Sequence, residues 1–190
     1  KISVERVFIE FDKLLMAPHW KKGLTALLDS GALTYLPDLK GLEEGVRNLM
    51  ENLSSDFVFT SSEQAWATLL YAIQLPDAKS FLKKWKTSND FQKQVVQLVE
   101  IFQLRETEQV TKEICYRYGK EMLDLVEEVR MALGLAVDFE RIAAVDAALI
   151  IHDRHEIVIN GGQLMKELDL KPGPALGRLL NQVEAAIVAG

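Results

Sequence analysis

The chain has 190 residues, 48% of them apolar, with 22 Lys or Arg against 28 Asp or Glu and a formal net charge of −6. That length can form one domain with a sizeable core or two small ones. The acidic balance excludes a uniformly basic nucleic-acid binder and confines any such contact to a local patch.

The longest apolar runs, such as Ala147 to Ile151, fall far short of the roughly 20 residues a bilayer crossing needs. No signal-peptide pattern opens the chain, so a cytoplasmic location and no membrane partner are expected. The single cysteine, Cys115, has no internal disulfide partner and reads as a small buried hydrophobe.

Apolar residues recur at three- and four-residue spacing, which predicts an all-α fold, a multi-helix array of about ten short helices. The first carries "VERVFIEFDKLL", with Ser3 as its cap and Val7, Phe11, Leu14 and Leu15 on its apolar side. After a break at Pro18, Leu24, Leu27 and Leu28 mark the second. Further breaks fall at Tyr35 to Gly41, Asn52 to Asp56, Gln74 to Asp77 and Thr87 to Asp90. Ser62 is placed to cap a helix with Trp66, Leu69, Leu70 and Ile73, and Thr107 or Thr111 one running through Cys115 and Met122. "HEIVIN" is the one extended candidate, a linker strand or loop.

Residues 160 to 180 hold four of the eleven glycines and two of the five prolines. Asn160 can cap a short helix with Leu164, Met165 and Leu168 on one side, and a second helix can begin at Pro174, where a missing N–H costs nothing. The expected result is a helical hairpin near the C-terminus, with Gly177 admitting another backbone closely. The N–H groups of Ala175, Leu176 and Gly177, flanked by Lys171, Gly173 and Arg178, then form either a packing corner or a cradle for one phosphate.

Phosphate-binding, dinucleotide, nucleophile-elbow, HExxH and paired-cysteine motifs are all missing. "HDRH", with His152, Asp153 and His155, could ligate a divalent metal only with further ligands, and a polar turn explains it equally well. Lys79, Lys83, Lys84, Lys86 and Lys93 cluster around Trp85, either as a solvated face with one core aromatic or as a basic, aromatic RNA contact. Arg6 and Glu10 lie four apart beside Glu5, an exposed ion pair worth about 0.3 to 0.5 kcal/mol when isolated.

Taken in order, "ISVERVFIEFDKLL", "GLTALLDSGALTYLPDLKG", "FLKKWK" and "VINGGQLMKELDLKPGPALGRLLNQVEAAIVAG" resemble the C-terminal portion of bacterial CCA-adding tRNA nucleotidyltransferases, with the look of the Bacillus-type class II enzymes. Thr87 to Arg154 matches only in helical character. The resemblance implies a last neck helix over 1–16, a body over 17–104 and a tail over 105–190. It implies that Glu5, Arg6 and Glu10 buttress a nucleotide-reading element, and that Lys83, Lys84, Lys86, Lys171, Gly173, Gly177 and Arg178 contact the tRNA acceptor stem and TΨC arm.

It further implies no catalytic residue, metal or cofactor here, the Mg2+, CTP and ATP chemistry belonging to a head that this chain lacks. A chain opening on "KISVER", part-way through an element, reads as a piece of a longer protein. A homodimer is compatible with this reading. Outside the family, an all-α module pairing "RIAAVDAALII" and "LLNQVEAAIVAG" with a partner protein is the alternative. A DNA-binding helix-hairpin-helix is another, although its loop departs from the usual Gly-hydrophobic-Gly form.

Overall fold

The computed structural model describes residues 3–35, 39 and 42–190, and among these there is no strand. Eleven α-helices follow in order: α1 (Val4–Leu15), α2 (Trp20–Asp29), α3 (Glu43–Asn52), α4 (Ser62–Ala72), α5 (Ala78–Lys84), α6 (Asn89–Arg105), α7 (Lys112–Tyr118), α8 (Lys120–Ala132), α9 (Phe139–Ala148), α10 (Gly161–Glu167) and α11 (Pro174–Ala189). Short 3-10 turns occupy Ala32–Tyr35 and Arg154–Glu156. Of the expected break at Tyr35 to Gly41, residues 36–38, 40 and 41 lie outside the described residues.

The helices start where short polar side chains can accept from free backbone N–H groups. Ser3, Asp77, Ser88, Thr111, Asp138 and Asn160 each do so. At α4 the cap is Ser61 and not Ser62, because the Ser62 hydroxyl is engaged by Asp12. The helix expected through Cys115 and Met122 is two helices. Gly119, with φ +87, closes α7 and lets the chain restart as α8, a conformation other residues adopt at a cost. "HEIVIN" is a 3-10 turn followed by a loop that bends at Val158 and Ile159, with no strand.

Packing divides the chain into two compact units, residues 1–108 with 124–137, and 109–123 with 138–190. In the first, α4 is buried from Gln64 to Leu70 and packs most extensively on α6. Trp20, Trp66 and Trp85 are each essentially without exposure. Burying such side chains contributes on the order of 2 to 3 kcal/mol apiece. The buried Gln64 amide is satisfied by donating to Leu125 O and Glu128, both at 2.8 Å, and accepting from Thr60 N. Arg105 and Glu127 form a buried pair at 2.6 Å with Arg130 beside it at 3.7 Å. Losing one partner of such a pair costs about 3 to 5 kcal/mol.

In the second unit α7 packs on α9 and α11, and α10 on α11. Its core is small: Val110, Cys115, Tyr118, Leu123, Ile142, Leu149, Ile151, Leu164 and Val188 are buried. Cys115 thus sits as a small hydrophobe. Polar clamps supplement this core, with Arg141 donating to Val110 O at 2.7 Å and the Tyr116 hydroxyl donating to Glu184 at 2.6 Å. The 3-10 turn adds Arg154, 3.4 Å from the same Glu184 and 3.0 Å from Asn181 Oδ1.

Candidate nucleic-acid interface

One side of α1 is fixed to the first unit's core. Phe8 stacks on Trp66 at 4.8 Å and meets Phe91 edge-on at 5.6 Å, while Asp12 accepts from Trp66 Nε1 and Ser62 Oγ, both at 3.0 Å. Because Trp66 is buried, Asp12 removes what would be an unsatisfied donor. Arg6 and Glu10 instead line a groove of about 340 Å³ with Val7, Leu14, Leu27 and Ala32.

The expected Glu5, Arg6 and Glu10 set is therefore split. Arg6 and Glu10 do not pair: Glu10 meets Lys13 at 3.1 Å and Glu5 meets Lys86 at 2.7 Å. A rotation of 100° per residue puts Glu5 and Glu10 about 140° apart, which explains their different surroundings. Among the described residues Arg6 makes no ion pair. The groove's apolar lining was not anticipated, although Val7 and Leu14 beside Phe8, Phe11 and Leu15 make α1's apolar surface too wide for one contact.

The lysine cluster resolves into two layers. Trp85 is buried, 5.4 Å from Phe81 and 6.0 Å from Trp66, so it anchors the segment and offers no face to a base. Lys79, Lys83, Lys84, Lys86 and Lys93 are exposed around it. Lys86 closes α5 in the left-handed region, φ +56, where its ammonium reaches Glu5 and holds that carboxyl below the usual range. Part of its charge is thus spent within the chain.

In the second unit the hairpin forms as expected. Asn160 and Gln163 cap α10 reciprocally, and Pro174 opens α11. Leu164 is buried, but Leu168 is 55% exposed because the chain leaves the helix through Asp169, φ +50, and turns Leu170 inward. Fewer free N–H groups stand at the corner than expected. Leu176 N and Gly177 N both bond to Gly173 O, at 3.1 and 3.4 Å, leaving only Ala175 N–H of the three. Nothing lies within 4 Å of a Cβ built on Gly173 or Gly177, so neither glycine accommodates another backbone of this chain. Lys171 and Arg178 are exposed beside them.

"HDRH" is a structural turn. His152 Nε2 lies 3.3 Å from Asp146 Oδ1, Asp153 caps the 3-10 turn through His155 N at 2.7 Å, and His155 is almost fully exposed. Among the described residues no group of three or more His, Cys, Asp or Glu is arranged to hold a metal. No helix is long and apolar enough to cross a membrane.

Over all 190 residues the chain is 59% identical to a CCA-adding enzyme of Streptococcus suis and 56% identical to one of Streptococcus mutans, spanning 47% of each. It is similar in structure to the Bacillus stearothermophilus CCA-adding enzyme crystallised in complex with CTP, with a TM-score of 0.85 and 28% identity over 98% of this chain and 48% of that one. The chain thus spans about half the length of the relatives it matches. Residues 1–42 match the family described as "Probable RNA and SrmB-binding site of polymerase A". Residues 57–190, most of the chain, match the model for tRNA nucleotidyltransferase domain 2, and the protein belongs to that family.

Proposed function

We propose that this chain is the tRNA-holding part of a CCA-adding tRNA nucleotidyltransferase, with 1–16 as the last neck helix, 17–104 as body and 105–190 as tail. The observation that carries the proposal is the 59% identity, sustained over every residue of the chain, to a CCA-adding enzyme twice as long. On this reading nucleotide addition, with Mg2+, CTP and ATP, belongs to the half of the relatives' length outside this chain. No chemical step is assigned to the residues of this chain. The location is the cytoplasm, where tRNA is processed.

Binding follows A-form shape through phosphates and 2′-hydroxyls, as suits an acidic protein with local cationic patches. Lys83, Lys84 and Lys86 supply one patch, and Lys171 and Arg178 beside Gly173 and Gly177 another. Arg6 and Glu10 sit on a groove whose apolar floor fits a helix ridge of the catalytic part, with Arg6 free to take a carboxylate from it. Glu5 acts at one remove, by holding Lys86.

The test is binding and extension side by side. The chain should bind tRNA or an acceptor-stem minihelix more tightly than duplex DNA of equal length, and should add nothing to tRNA lacking CCA when given CTP, ATP and Mg2+. Extension above a heat-killed control, or no preference for tRNA, would overturn the proposal. In the full-length protein Arg6→Ala should lower nucleotide addition while leaving tRNA affinity unchanged; a lowered affinity would remove Arg6 from the groove role.

A further inference from the structure

Between the C-terminal ends of α4 and α6 lies a cavity of about 280 Å³ that the RNA-holding role does not use. Leu75 and Val99 give it aliphatic walls, and four polar side chains converge on it, those of Tyr71, Gln74, Gln103 and Glu106. α4 ends at Ala72 and α6 at Arg105, so the negative ends of two helix dipoles meet here and favour a cation. Arg105 is engaged by Glu127 at 2.6 Å, and Arg130, whose charge reaches the Tyr71 phenol, donates to Ala136 O at 3.0 Å.

Glu106 accepts the Tyr71 hydroxyl, and among the described residues its carboxylate has no ion pair. The Tyr71 ring is held in place by a parallel stack on Phe102 at 4.9 Å. Burial and then Glu106 push the phenol up to about 12, so it stays a donor and leaves the remaining Glu106 lone pairs open. The carboxamides of Gln74 and Gln103 make no hydrogen bond among the described residues.

Gln74 adds an independent sign. It has φ +52 at the position just past α4, where its N–H bonds to Tyr71 O at 3.0 Å and Leu75 N to Leu70 O at 3.2 Å. That helix-ending turn takes glycine without strain and any side chain at a cost. This strained residue, exposed to solvent, lines the cavity.

We propose that this cavity binds a guanidinium group, as carried by an arginine side chain. A flat cation with several N–H donors matches one open carboxylate and two carboxamides over an aliphatic wall. The same carboxylate and helix ends repel phosphates, which separates this site from nucleotide and RNA binding.

Titration of the 190-residue chain with arginine amide, followed by NMR of the Gln74 and Gln103 side-chain amides, tests the proposal. Expected are saturable shifts at least about fivefold tighter than with lysine amide, equally charged but not planar, or citrulline amide, planar but neutral. Glu106→Gln should weaken binding about tenfold through loss of the charged acceptor. Gln74→Gly should weaken binding while raising the unfolding midpoint, since the left-handed strain is relieved. No saturable shift, an equal response to lysine amide, or undiminished binding by Glu106→Gln overturns the proposal.

Discussion

Tyr71 and Tyr116 each donate a phenol to a carboxylate on another helix or turn of the same unit, Glu106 and Glu184. Burial first, and the carboxylate second, push both phenols up to about 12 from an ordinary 10. A folded value above the unfolded one means that the neutral form is the one folding favours. This contribution is therefore fully present below pH 10 and is lost as pH rises through 12. Alkaline titration should show two phenolate signals delayed relative to the unfolded chain. The urea midpoint should fall over the same interval, and Tyr71→Phe with Tyr116→Phe should flatten that fall; an unchanged slope would remove both bonds from the account. Neither bond was legible in the sequence, because Tyr71 and Glu106 are far apart in the chain and nothing local couples them. Lys86 shows the opposite limit. Its charge was legible, whereas its left-handed backbone and its bond to Glu5 depend on where α1 lands.

Among elements, the hairpin was the most legible because Asn and Pro impose local conformations that tertiary packing rarely overrides. The cap at Asn160 and the start at Pro174 both followed from residue type. Gly119 was missed as a helix break because a lone glycine inside an apolar repeat leaves the repeat intact while the backbone turns. The two hairpin glycines carry a prediction of their own. Gly173 is extended and Gly177 helical, with open space where a Cβ would stand, so this chain's fold requires neither to be glycine. Gly177→Ala should stabilise the second unit by about 0.5 to 1 kcal/mol, the helical penalty of glycine. If RNA backbone approaches α11 there, the same variant should bind tRNA more weakly despite its greater stability, an opposition that a purely structural glycine cannot produce. A variant that is stabler and binds equally well would take Gly177 out of the interface.

At the scale of the whole chain, a net charge of −6 means that the proposed affinity for RNA has to come from a few cations placed against the overall field. With about four phosphates contacted, the log-log salt dependence of tRNA binding should have a slope of only about −3 to −4. The two exposed cationic patches belong to different packing units, Lys83 and Lys84 to the first and Lys171 and Arg178 to the second. Each neutralised phosphate releases its own counterions, so contacts made by separate cations add in the salt slope. Reversing Lys83 and Lys84 to Glu, or Lys171 and Arg178 to Glu, should therefore each flatten the salt slope by about one to two contacts, and the fourfold variant should lose the sum. The unfolding midpoint of the Lys171 and Arg178 variant should be unmoved, since these two side chains stand on the surface. A slope that responds to one pair alone assigns RNA binding to that unit. A slope that responds to neither places the phosphate contacts elsewhere, with Lys79 and Lys93 the next exposed cations to reverse.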